Sequence, residues 1–235
     1  MPAIAPYLPG AEIPPRGVEA AGSPLGAPPS APNSQSFELY PTPSGSSQPF
    51  VAYDPCRPIH YVVRPDNAPR ASDKLVREAI AEVSAATGLQ FIYDGPTDEA
   101  FAPQGRERFQ PDRYGRKWAP VLVTWSDPGE VPGLAGAVGG LGGSSYAKAE
   151  GTPYVLVAGQ IALDTPAMLD ALQHPEGPEL VRAVIIHELG HVLGLAHVDD
   201  PSQLMHGDAN NVTRLADGDR AGLALLGTGA CVPQL

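Results

Sequence analysis

The sequence predicts an α+β fold, an α/β-type sandwich in which helices pack against a sheet. A strand, a long amphipathic helix and a second strand follow one another between residues 58 and 94. More strands come next and helices close the chain, an order typical of a sheet with helices packed on it. The 235 residues, 43% of them hydrophobic, are enough for one sizeable core.

The first 49 residues show a different pattern. They are rich in Pro, Gly, Ala and Ser and follow neither the helical nor the strand period of hydrophobicity. Such a segment buries too little apolar surface to offset the entropy lost on ordering. We therefore expect a disordered tail or linker over 1–49 and one folded domain over 50–235.

The domain begins with a strand, a helix and two more strands. Residues 58–65 alternate in hydrophobicity and end at a proline, which indicates a short strand. Residues 72–88 carry apolar side chains at helical spacing, with Ser72 suited to cap the start and Gly88 to end the helix. The next predicted elements are strands over 89–94 and 119–127 and a loop over 95–118.

The second half of the domain predicts a hairpin and two helices. Apolar arms over 134–147 and 152–164 flank the turn-like KAEG, although glycines weaken the first arm. Pro178 suits a first helical position, and this helix should run to about Leu193. A last short helix fits residues 217–226.

Charge and hydropathy exclude some partners. The formal net charge of −11 disfavours nucleic acid and anionic lipid, both of which reward a basic surface. No stretch approaches the roughly twenty apolar residues needed to cross a bilayer, so we expect no membrane span. The opening MPAIAPYLPG lacks the basic and apolar blocks of a signal peptide.

The two cysteines leave two readings open. Cys56 and Cys231 lie near the two ends of the predicted domain and allow a single intramolecular bridge. A disulfide would indicate an oxidising compartment. The alternative is a pair of buried thiols.

The stretch IIHELGHVLGLAH, residues 185–197, holds the chemistry. His187 and His191 are four residues apart, so their imidazoles lie on one helical face and can meet at a point. Glu188 is rotated away from that point but can reach a water there. Gly194 breaks the helix through a left-handed conformation, which lets His197 approach as a third nitrogen.

Three neutral imidazoles without a thiolate are typical of a catalytic zinc site, because one coordination position stays open to water. Zinc lowers the pKa of that water, and Glu188 can take its proton and pass it to a leaving amine. The expected reaction is hydrolysis of a polarised carbonyl by one Zn²⁺ ion.

These residues carry a family resemblance. HELGHVLGLAH resembles the extended HExxHxxGxxH consensus of the metzincin metalloproteases, and the downstream SQLMHG resembles their Met-turn. The spacing of LADGDRAGL is similar to the C-terminal helix of the matrixins, the group of the matrix metalloproteases and their bacterial relatives. DPCRPIHYVV resembles the first strand of the bacterial enzymes, so the likeness covers about residues 50–230.

The resemblance implies a twisted, mostly parallel sheet with an antiparallel edge strand, a long N-terminal helix, an active-site helix and a C-terminal helix. It implies a hydrophobic floor beneath the metal at Met205. An edge strand within 134–146 would line the cleft and pair with substrate, and residues 206–214 would form the outer wall. By position, it assigns zinc binding to His187, His191 and His197 and catalysis to Glu188.

The sequence also departs from the family pattern. His206 stands where matrixins commonly have another side chain followed by proline, and Gly218 replaces the first of two paired acids, leaving Asp219 as the match. The PRCGxPD cysteine switch is absent, and the place of Cys56 at a first strand favours a bridge to Cys231. The HxD-type ligand series of the structural zinc and calcium loop is absent too, so nothing in the sequence indicates Ca²⁺.

We therefore predict a secreted, monomeric, matrixin-like zinc endopeptidase that acts on polypeptides through a zinc-bound water activated by Glu188. One alternative is a zinc amide hydrolase with a narrow, non-protein substrate. The other is a non-catalytic binding or adhesion module that retains zinc. Asp199 and Asp200 either orient an imidazole or form a solvated turn.

Overall fold

The computed structural model describes residues 13–208 and 210–235. Its main sheet has five strands in the order β3-β2-β4-β6-β5. The first four run parallel, and β5 pairs antiparallel with β6 at one edge. The mostly parallel sheet and its antiparallel edge strand confirm the predicted α+β class. The strands are β2 (Ile59–Val63), β3 (Phe91–Pro96), β4 (Val121–Ser126), β5 (Gly140–Ala147) and β6 (Val155–Asp164).

Helices pack on this sheet and on one another. Helix α4 contacts α1, β5 and β6, and α5 contacts both α1 and α4. Within residues 13–208 and 210–235, none of the helices has the length and apolar character needed to cross a bilayer. The helices are α1 (Ser72–Thr87), α2 (Pro111–Tyr114), α3 (Thr165–Ala171), α4 (Gly177–Leu193) and α5 (Asp217–Leu226).

Most predicted elements are present, and the differences have local causes. Helix α1 ends at Gly88 in the left-handed conformation, as predicted, but its N-cap is Ala71 and Ser72 makes no cap. Strand β3 starts two residues later than predicted, because Leu89 still belongs to the hydrogen-bonded end of α1. The predicted loop over 95–118 contains the short turn α2, which begins at Pro111.

The core lies between the sheet and the helices α1 and α4. Every residue of the central strand β4 is buried, because neighbouring strands and packed layers cover both faces. The buried positions of α1, such as Val76, Ile80 and Val83, recur at helical spacing. Burial of such side chains supplies the main driving force for the fold.

Cys56 and Cys231 form a disulfide in the structure. The bond joins the start of the domain to its C-terminal end, across 175 residues of sequence. Asp54 accepts hydrogen bonds from the backbone N–H groups of Cys56 and Val232 and thus holds both ends beside the bond. Of the two readings left open by the sequence, the bridge is confirmed.

The predicted tail contacts the domain. Residues 1–12 lie outside the described part, but the chain from residue 13 onward makes backbone hydrogen bonds to it, such as Ala21 to Cys56 and Leu25 to Pro55. Strand β1 (Glu38–Leu39) pairs antiparallel with β7 (Leu195–Ala196). The boundary at residue 50 stays a prediction. The chain already contacts the domain before residue 50, and it does so through backbone hydrogen bonds, which need no hydrophobic period in the sequence.

Candidate metal centre and cleft

Helix α4 carries the first two candidate ligands and ends where the predicted bend requires. It is buried on almost every side, and Gly194 follows it with a φ of 119°. The backbone N–H of Gly194 donates to the carbonyls of Gly190 and His191, and the chain leaves the helical path at this residue. The short strand β7 then leads to His197.

The three histidines converge. The Nε2 atoms of His187, His191 and His197 lie 3.1 Å from one another in all three pairs. Four-coordinate zinc with Zn–N bonds of about 2.0–2.1 Å keeps its nitrogen ligands roughly 3.3 Å apart. The triad is therefore consistent with a zinc site, and among the described residues it is a group whose ligand atoms could hold a metal ion.

Backbone carbonyls fix which ring nitrogen of the two helical histidines is protonated. His187 Nδ1 lies 2.8 Å from the Leu204 carbonyl oxygen, and His191 Nδ1 lies 2.8 Å from that of Leu195. A carbonyl oxygen only accepts hydrogen bonds, so each Nδ1 carries the proton. Each Nε2 lone pair is thereby left to face the meeting point.

Burial keeps these rings neutral. It lowers the pKa of His187 to about 4 and that of His191 to about 3, and the neighbouring imidazoles add to the effect. His197 is more exposed, and burial lowers its pKa as well. At neutral pH all three rings therefore offer uncharged nitrogen donors, the form that binds metal.

Glu188 lies beside the triad and is buried, with 4% of its surface exposed. Its Oε2 atom finds no hydrogen-bond partner within the described residues. Burial raises the pKa of this carboxyl to about 8. A buried carboxylate without a partner is costly unless a cation or a bound molecule compensates it, so the atom fits a site built around a positive ion.

Two glycines of β5 make room for Glu188, and the sequence reading recognised them only as weak points of a strand. A Cβ at Gly140 would lie 2.7 Å from Glu188 Cγ, and a Cβ at Gly142 would run into the Glu188 backbone carbonyl. The edge strand can approach α4 this closely only without side chains at these positions. The signal in the sequence was glycine recurring at period two.

Met205 lies against α4, and its role as a floor beneath the metal stays a prediction. It is 1% exposed, and a Cβ at Gly190 would lie 2.5 Å from its sulfur atom. The buried Asp219 carboxylate accepts hydrogen bonds from the N–H groups of Leu204 and Met205, at 2.8 and 3.1 Å. Asp219 thus ties the methionine loop to α5.

A cleft of about 380 Å³ opens next to His187, Glu188 and His197. Its lining includes Gly140 of β5 and residues of the 206–212 segment. Residue 209 falls outside the described part. The apolar lining comes from Val138, Leu180, Val184, Leu204 and Val212.

The downstream polar residues have structural partners. Asp200 accepts hydrogen bonds from Ser202 and Gln203 rather than from an imidazole, which favours the turn over the orienting role. His206 Nδ1 donates to the Val198 carbonyl at 3.0 Å, beside the hydrogen bond from Val198 N–H to Met205. These bonds fold the loop that follows His197.

Tyr40 is a neighbour of the triad that the sequence reading missed. Its hydroxyl oxygen lies 3.1 Å from His191 Nδ1. Burial, and then the negative charge of Glu188, raise the pKa of this hydroxyl to about 12, so it stays protonated at neutral pH. The signal in the sequence was SFELYP, in which apolar Phe37 and Leu39 flank a polar residue.

The family model described as matrixin matches residues 141–226 and confirms the resemblance over that range. An archaemetzincin from Methanopyrus kandleri is similar in structure, with 21% sequence identity and a TM-score of 0.42. The alignment covers 72% of this chain and 93% of that one. No curated protein shows significant sequence similarity to the chain.

Proposed function

We propose that this protein is a zinc-dependent endopeptidase, and the match of the matrixin family model to residues 141–226 supports the proposal. The observation that carries the proposal is the meeting of three Nε2 atoms, 3.1 Å apart, beside a buried carboxylate oxygen that has no partner within the described residues. A site for structure alone would have no use for that carboxylate.

His187, His191 and His197 would hold the zinc ion, and Met205 would support them from below. When bound, zinc polarises a carbonyl and allows water to act as a nucleophile at neutral pH. Glu188 Oε2 would accept the proton of the attacking water and deliver it to the leaving amine. A bound cation would favour the ionised form of Glu188 and so oppose the rise in its pKa that burial causes.

The substrate would lie along β5. This strand pairs with β6 on one side only, so its other side offers backbone groups to an extended peptide as an added antiparallel strand. Glycines at 140 and 142 let β5 itself come close to Glu188. The apolar cleft walled by Leu180, Val184 and Val212 would take one uncharged side chain of the substrate.

The test is Glu188→Gln, which keeps the shape of the side chain and removes its basicity. Zinc content should stay at one equivalent, while cleavage of casein should fall by about 10² to 10⁴-fold. Glu78→Gln, on an exposed position of α1, is the matched control and should cleave casein as the wild type does. Full activity of Glu188→Gln would falsify the proposal.

Two experiments separate the alternatives. A peptide hydroxamate should tighten the apparent zinc affinity if a coordination position is open, and should have no effect on a zinc-containing adhesion module. Cleavage of small amides without any cleavage of casein would favour the narrow amide hydrolase. The edge of β5 that pairs with no other strand in the described residues suits an extended chain and supports the polypeptide substrate.

We also propose secretion and a monomeric state. The Cys56–Cys231 disulfide supports an oxidising compartment. Alkylation and mass analysis of protein from its native source should find both thiols bonded, and light scattering should give the mass of one chain. Free thiols or a stable dimer would contradict these points.

A further inference from the structure

The segment 36–40, which we call the N-terminal strap, is joined to the link between the second and third histidines. Glu38 and Leu39 pair with Ala196 and Leu195. The N–H of Tyr40 donates to the Gly194 carbonyl at 3.0 Å. The strap therefore runs along the bend that brings His197 to the site.

The other side of the strap rests on two glycines of α5. A Cβ at Gly218 would run into the Ser36 carbonyl oxygen, and one at Gly222 would lie 3.0 Å from the Phe37 ring. These are the positions on α5 where a side chain would push the strap away. Its place between α5 and β7 thus depends on close backbone approach.

At the end of the strap, the Tyr40 hydroxyl reaches His191. The His191 Nδ1 proton is directed at the Leu195 carbonyl, so the Tyr40 oxygen at 3.1 Å is a second acceptor of the same N–H. The two rings lie with their centroids 5.8 Å apart. Acceptors on Nδ1 orient a ligating imidazole and raise the donor strength of its Nε2.

We propose that Tyr40 is a positioning residue for His191, and that the N-terminal strap is in this way part of the metal centre. The inference rests on the proposed zinc site. Backbone hydrogen bonds of the strap fix the main chain of Tyr40, and the hydroxyl fixes the ring of His191. The segment before the domain thus contributes to zinc affinity without contributing a ligand.

The test compares the full chain with Tyr40→Phe, which keeps the aromatic ring and removes the hydroxyl. Zinc dissociation constants are measured by competition with a chromophoric chelator. The ligand geometry is compared through the visible absorption spectra of the cobalt-substituted proteins. Tyr40→Phe should bind zinc about 10-fold more weakly, and its cobalt spectrum should shift. The urea midpoint of the zinc-free protein should change little, because the Leu195 carbonyl still accepts a hydrogen bond from His191 Nδ1.

Tyr93→Phe is the matched control, because Tyr93 is 49% exposed on the far edge strand β3. It should have the zinc affinity and cobalt spectrum of the wild type. If Tyr40→Phe also matches the wild type in both, the inference is overturned while the proposed function stands. Wild-type protein that takes up no zinc would overturn both proposals.

Discussion

The stretch 185–197 and the N-terminal strap meet at His191, but only the first could be recognised as a functional segment from the sequence. The stretch 185–197 predicts a metal site, because a metal needs particular residue types at fixed spacing on a helix. The N-terminal strap touches the same imidazole, yet it lies in a region without hydrophobic period. A metal site leaves a pattern of residue types in the sequence, whereas the strap leaves only the short alternation of Phe37, Glu38 and Leu39.

The comparison teaches where the stability of the site comes from. The histidine stretch supplies candidate metal ligands that burial keeps uncharged. The strap supplies hydrogen bonds, and it can pack against α5 only because Gly218 and Gly222 have no side chains. Each segment can therefore be disturbed separately.

The largest expected effect concerns the histidine stretch and pH. The pKa values of His187 and His191 are lowered in the folded protein from about 6.5 when unfolded, so the unfolded chain binds more protons as pH falls. The contribution of these two imidazoles to the stability of the zinc-free protein is therefore complete above about pH 6.5 and is lost towards pH 4. Each pH unit within that window costs about 1.4 kcal/mol per imidazole. The Glu188 carboxyl, whose pKa is raised to about 8, stabilises the folded state as pH falls over the same range, so the histidine contribution is measured as a difference between wild type and a histidine variant.

Urea unfolding of the zinc-free protein at several pH values measures this loss. His187→Gln should show a shallower decline than the wild type, while His174→Ala, at an exposed position, should follow the wild type. The same change of midpoint with pH in His187→Gln and in the wild type would mean that His187 is not buried as a neutral imidazole.

The next effect concerns the edge strand that faces the histidine stretch. In Gly140→Ala the added Cβ meets Glu188 Cγ at 2.7 Å, so the carboxylate must move. A displacement of about 1 Å costs roughly a hundredfold in rate, and zinc affinity should be unaffected. Casein cleavage and zinc titration measure the two separately.

Gly22→Ala is the control for this substitution, because a Cβ at Gly22 meets no atom within 4 Å. It should keep full activity. Equal activity of Gly140→Ala and Gly22→Ala would show that β5 does not position Glu188.

The smallest effect concerns the N-terminal strap. Alanine normally stabilises a helix relative to glycine by up to about 1 kcal/mol. At Gly218 the added Cβ runs into the Ser36 carbonyl, so Gly218→Ala should instead destabilise the protein by about 1 to 2 kcal/mol. Urea unfolding gives the sign directly, and a more stable variant would mean that the strap is not docked on α5.

The sequence predicted what periodicity and residue type encode. The bounds of α5 agree with the predicted 217–226, and the end of α4 agrees with the bend expected at Gly194. Helix α5 has an amphipathic pattern, and the left-handed conformation at Gly194 favours glycine over residues with a side chain. The convergence of the three histidines followed from the same reasoning.

Other features depend on contacts that no local pattern specifies. Gly140 makes room for Glu188, which can be seen only when β5 is packed against α4. From the sequence alone, glycines in a strand indicate only a weak strand. Asp200 follows the third histidine closely in sequence, but its carboxylate accepts hydrogen bonds from Ser202 and Gln203 of its own turn. Tyr40 reaches His191 from 151 residues away, through a strand of two residues.

X-ray absorption at the zinc edge of the zinc-loaded protein tests the central claim most directly. It should show one zinc per chain with three imidazole nitrogens at about 2.0–2.1 Å and one further light ligand. The spectrum of His197→Ala should lose one imidazole. A wild-type spectrum with fewer than three imidazoles, or one unchanged by His197→Ala, would contradict the account.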